Sequence, residues 1–83
     1  MSFFLADETP GKAYPLGGGT VLPFVVEAPN KPTILIHGLG RIPRAAFVCR
    51  ADLAVDFFPT DMDRERAVGT FDAGPAQVVV KFE

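Results

Sequence analysis

From Thr20 onward the chain consists of short runs of β-branched and aromatic residues, broken by Pro, Gly, Asn or Asp about every ten residues. This punctuation constrains the fold more than any other feature, because such spacing is the signature of a sandwich or barrel of short strands. The expected strands are Val21 to Glu27, Thr33 to His37, Ala45 to Arg50, Ala54 to Phe58, Ala67 to Phe71 and Gln77 to Phe82. Pro23 cannot donate to a ladder, so the first of these is expected at an edge or at a bulge. The fold class is therefore all-β: a small antiparallel β-sandwich or barrel-like domain over residues 20–83, with an extended N-terminal arm over residues 1–19.

That arm joins Phe3-Phe4-Leu5 to Pro10, Gly11, Pro15 and the triplet Gly17-Gly18-Gly19, a composition that resists regular structure. It reads either as a tether with an apolar tip or as a short edge strand and loop packed on its own domain. Residues Thr60 to Ala67 fit a two-turn helix, with Thr60 as a cap, acids leading, arginines following and Gly69 beyond the end. They fit a charged loop between strands equally well.

The strands are apolar on both faces. In the last one Val78, Val80 and Phe82 share one face while Val79 shares the other with Lys81. Ile34 and Ile36 likewise oppose Leu35. In an antiparallel sheet this pattern implies cover on both sides, and in a chain of 83 residues the second cover is expected from another subunit. Small domains lean on disulfides, metals or partner chains. Cys49 is the only cysteine and His37 the only histidine, so neither an internal disulfide nor a four-ligand zinc site can form, and oligomerisation remains. The 48% content of hydrophobic residues agrees.

A net charge of −2 argues against a nucleic-acid partner, and Arg41, Arg44 and Arg50 form only a loose basic cluster. The first six residues lack the basic start of a signal peptide, which implies use inside a cell. No apolar run approaches the roughly 18 to 20 residues of a membrane span, so no membrane partner is expected.

Ile34-Leu35-Ile36-His37-Gly38-Leu39-Gly40 resembles the strand and oxyanion turn of α/β-hydrolases. That fold needs a nucleophile on a strained elbow, an acid and a further histidine. Ser2 is the only serine, and no Gly-x-Ser-x-Gly occurs. A Cys49–His37 pair is the remaining covalent option, but Cys49 shares an alternating strand face with Phe47, where a thiol is ordinarily a buried hydrophobe. The expectation is no enzyme and no cofactor. His37, Gly38, Gly40 and Pro43 instead read as a structural turn, and Arg41 and Arg44 flank Pro43 as exposed donors.

His37-Gly38-Leu39-Gly40-Arg41-x-Pro43, with the strand before it, Phe47-Val48-Cys49-Arg50 after it and the closing Ala76 to Phe82, is similar to a group of small virion structural proteins of tailed bacteriophages. The likeness covers residues 32–82, and Ala45-Ala46 stands where the group carries glycine or an aromatic residue. The resemblance implies a component of the tail, fibre, collar or capsid decoration, made in the host cytoplasm and located in the virion. It implies a homo-oligomer, a trimer among the expected states, meeting other virion proteins through the arm. Interface candidates are Phe3, Phe4, Leu5, Arg41 and Arg44. The alternative is a module binding a host surface or saccharide, with Phe57, Phe58 and Tyr14 as stacking residues.

Overall fold

The structure is a computed structural model that describes residues 3–83. Met1 and Ser2, the first two residues of the expected arm, lie outside the described residues. Seven strands follow in order: β1 (Tyr14–Leu16), β2 (Gly19–Val26), β3 (Thr33–Ile36), β4 (Ala46–Ala51), β5 (Phe57–Met62), β6 (Arg66–Phe71) and β7 (Ala76–Phe82). They form two antiparallel sheets, one of four strands in the order β1-β2-β7-β4 and one of three in the order β3-β6-β5. The expected all-β architecture of packed antiparallel sheets is present.

Alternation along each strand supplies the core. Leu22 and Val26 of β2 and Val78, Val80 and Phe82 of β7 meet Leu35, Phe57, Ala67 and Phe71 from the three-stranded sheet. Phe71 is the hub, with its ring 4.9 Å from Phe57 and stacked 6.0 Å from Phe24. β4 closes one side of the sandwich against β5. The opposite side opens into a groove between β1 and the end of β3.

The middle of the second face of the four-stranded sheet is covered from within the chain, while Val25 and Phe47 on the same face stay exposed. Val21, Pro23 and Val79 are buried, yet they lie on the face opposite Leu22, Val78 and Val80, and neither Val21 nor Val79 belongs to the main core. Residues 3–13 cross that face as a strap. Its Glu8 bonds Arg50 on one flank of Val79, and its Gly11 N–H donates to the Pro23 carbonyl at 2.7 Å on the other. Of the two readings of the N-terminal segment, its described residues follow the packed loop and edge strand, with β1 at Tyr14–Leu16.

Three further expectations change. Pro23 sits in an internal strand, because β1 pairs only with Gly19 to Val21 and the Pro23 carbonyl faces the strap, leaving no ladder donor required there. Residues 60–67 are neither helix nor a plain loop: β5 runs to Met62, Asp63 turns the chain, and β6 begins at Arg66. The Asp63 carboxylate accepts the N–H groups of Glu65 and Arg66, each at 2.8 Å, so the acid that resembled a helix-start signal holds a hairpin turn. The strand expected at Ala54 starts at Phe57, because Asp52 and Asp56 tie the preceding residues to Gln77 and Asp72 as a connection.

Gly69, on the central strand of the three-stranded sheet, leaves room for the Phe57 ring to lie across it. It pairs with Thr33 and Pro59, and a Cβ there would collide with the Phe58 carbonyl and the Phe57 ring. Gly69→Ala is expected to cost about 1–3 kcal/mol by overpacking, lowering Tm by something on the order of 10 °C. Thermal denaturation followed by circular dichroism checks this, and an unchanged Tm would contradict the packing described.

Candidate functional site

The turn after β3 is a latch. Gly38 and Gly40 take φ of 61° and 80°, in the left-handed region that glycine enters without strain. The chain thereby wraps around the β5–β6 turn: His37 and Gly38 donate their N–H groups to the Glu65 carbonyl at 2.8 and 3.1 Å, and Gly40 donates to Arg64 at 2.9 Å. The His37 ring, 1% exposed, is the bolt. Nε2 lies 3.0 Å from the Asp63 carbonyl, and Nδ1 accepts the Leu39 N–H at 3.0 Å. One tautomer, protonated on Nε2, satisfies both contacts. The ring also packs 5.0 Å from Phe82.

Every group that the hydrolase likeness would need is engaged. The N–H groups of Gly38, Leu39 and Gly40 all have internal acceptors, and both His37 nitrogens are bonded. Cys49 is exposed at a bulge between Val48 and Arg50, and its thiol points to the Val79 carbonyl at 3.3 Å. The bulge overturns the expectation that it shares a buried face with Phe47, which is itself exposed. Among the described residues no cluster of three His, Cys, Asp or Glu could hold a metal ion.

The turn candidates thus come together, with Pro43 buried behind them. The interface candidates do not form one patch. Arg41 and Arg44 are exposed beside the glycine triplet, where Arg41 reaches the Gly18 carbonyl at 3.5 Å and the Arg44 backbone bonds Glu83. Phe3 and Phe4 are half-buried, edge to face at 5.2 Å, and the Arg50 guanidinium lies 5.0 Å over the Phe3 ring. Leu5 is exposed. The proposed stacking residues also separate, since Phe57 is in the core, Tyr14 bonds Glu8, and only Phe58 stands free.

The sequence reading missed the polar node that ties down the strap. Glu8 is buried, yet it accepts from the Leu5 N–H at 2.7 Å, from the Tyr14 hydroxyl at 3.2 Å and from Arg50. Arg50 holds the Glu8 carboxyl below the usual carboxylate range against the opposing effect of burial. Burial and the nearby Glu8 push the Tyr14 phenol up. A carboxylate beside a phenol and an arginine forty-two residues away carries no local sequence signal.

The remaining open feature is the outer face of the three-stranded sheet. Ile34 (57% exposed), Ile36 (63%) and Phe58 (52%) project from it around the half-buried Val68. Around the edge of β3, the groove of about 800 Å3 is lined by Tyr14, Leu16, Gly18, Thr20, Ile36 and His37. No family model matches the chain, and no curated protein or solved structure is similar to it.

Two outcomes follow from this geometry. Replacing His37 with Asn removes the ring packed on Phe82 and cannot reproduce both bonds, so it is expected to destabilise the fold by about 2–4 kcal/mol in chemical denaturation; wild-type stability would refute the latch. The strap should also respond to pH. The depressed Glu8 carboxyl contributes stability that is present above its unfolded value of about 4.3 and is lost as pH falls through the folded value. The raised Tyr14 phenol contributes below about 10 and is lost as pH rises through its folded value. Tyr14 is the only tyrosine and the chain has no tryptophan, so its fluorescence reports the strap directly. Glu8→Gln should weaken the acid-side change in that signal, and an identical acid transition in the variant would refute the assignment.

Proposed function

We propose that this protein is a structural building block of a tailed-bacteriophage virion that works by assembling with copies of itself. The observation that carries the assembly is the uncovered sheet face with Ile34, Ile36 and Phe58, three large apolar side chains, each more than half exposed, whereas a strap lies over the middle of the other outer face. Contiguous apolar surface of this kind marks contact sites rather than solvent-facing surface. The His37 latch supports the same reading, because its donors and acceptors are used to fix a corner between strands and leave none for chemistry.

The virion setting rests on the sequence resemblance carried by His37 to Pro43. In that setting Leu5, exposed on the strap, and the arginines Arg41 and Arg44 are the groups offered to neighbouring virion proteins.

Sedimentation equilibrium of the full chain tests the assembly. The full chain is needed, because deleting residues 1–19 would uncover Val21 and Val79. An oligomer above about 10 μM is the expected result; a monomer at every concentration would end the proposal. Mass spectrometry of purified particles tests the setting, with the protein expected as a stoichiometric component.

A further inference from the structure

Two sheets present four edge strands, β1, β4, β3 and β5. An open edge is a template for pairing with another chain, and proteins blunt edges that are meant to stay single with proline, charge or bulges. Three of the four are blunted here. β1 is three residues long and has Pro15 at its centre; β4 bulges between Val48 and Arg50; β5 carries Pro59, a bulge before Asp61, and that acid. The fourth, β3, is Thr33-Ile34-Leu35-Ile36, with no charge, no proline and regular pairing to β6.

The direction of its free groups follows from the ladder. His37, one residue beyond β3, donates to Glu65, and the register that sets Ile36 opposite Arg66 sets His37 opposite Glu65. Hydrogen-bonded and non-bonded pairs alternate in antiparallel strands, so Leu35 and Thr33 bond β6. Ile34 and Ile36 therefore turn their N–H and C=O groups away from β6, toward the open edge. Among the described residues no bond outside the ladder reaches these groups. The same two residues carry the exposed isoleucine side chains.

We infer that β3 is a pairing seam for a second copy of this chain, joined antiparallel about a two-fold axis through Leu35. This inference rests on the homo-oligomer reading and names its contact surface. The two-fold arrangement sets Ile34 opposite Ile36 of the second copy, and both exchange N–H and C=O bonds in full. On the outer face each row then reads Arg66, Ile36, Ile34 of the second copy, Val68 of the second copy, an apolar centre with a charged rim. Antiparallel pairing also places the two Lys31 side chains at opposite ends of the seam, so no like charges meet. A strand complementary to itself in this way favours its own copy over an unrelated segment. The contact closes a dimer, or an even-numbered assembly built from dimers, in place of the trimer that the resemblance admits.

Amide exchange by NMR on the full chain, with sedimentation in parallel, provides the test. Leu35 should be protected at every concentration, because its partner is β6. The Ile34 and Ile36 amides should exchange at least about tenfold more slowly in the concentrated dimer than in dilute solution. Ile34→Pro deletes an N–H that β6 does not use, and Ile36→Lys adds a charge to the seam. Both variants should be monomers with the wild-type circular dichroism spectrum. An oligomer whose Ile34 and Ile36 amides exchange freely would overturn the seam and leave the homo-oligomer reading standing. A chain that is monomeric at all concentrations would overturn both. Protection found only inside particles, without self-association of the pure chain, would give the seam to a different protein and overturn the second-copy assignment.

Discussion

Two sheets have four faces, and a chain of 83 residues can bury only two of them against each other. The rest of this structure follows from how the other two are treated. On the four-stranded sheet the chain covers the middle of the face itself, spending residues 3–13 on the strap, and Val79 is reduced to 3% exposure there. On the three-stranded sheet no described residue supplies cover, and isoleucine and phenylalanine remain exposed. The asymmetry is informative because both sheets carry the same two-faced apolar pattern.

Two buried polar devices hold the arrangement, and both join segments distant in sequence. The His37 ring fastens the turn after β3 to the turn between β5 and β6, so the three-stranded sheet is clamped at one end. Glu8 fastens the strap to β4 through Arg50 and to β1 through Tyr14. A buried carboxylate without partners is costly, and one with three partners makes the strap's position specific. In a domain with no disulfide, such nodes fix geometry that hydrophobic contact alone would leave loose.

The strands were legible because alternation and breakers are local. The strands expected at Thr33 to His37, Ala67 to Phe71 and Gln77 to Phe82 form as Thr33–Ile36, Arg66–Phe71 and Ala76–Phe82, each within one residue. What was illegible depended on distant partners. Pro23 signals an edge until one sees that β1 stops short of it, and Asp63 signals a helix start until its carboxylate is found holding a hairpin. The apolar pattern of β7 foretold a second cover and assigned it to another subunit, whereas over Val79 residues 3–13 of the same chain provide it. The turn at His37 was readable as structure from its glycines, whereas the Asp63 carbonyl that its ring reaches lies twenty-six residues away.

The pairing of β2 with β7 joins Thr20 to Phe82, the opposite end of the β domain in sequence. The three-stranded sheet, by contrast, draws all its strands from residues 33–71 and closes shorter loops. The sheet with the open β3 edge is therefore the faster to form, and the sheet that packs over its inner face closes last. Closing so long a loop makes this last step slow relative to forming the β5–β6 hairpin. A chain that forms the smaller sheet first leaves both of its faces bare until β2 and β7 close over the inner one, and that interval in folding, not only the final surface, sets when this protein is most prone to meet its own copies.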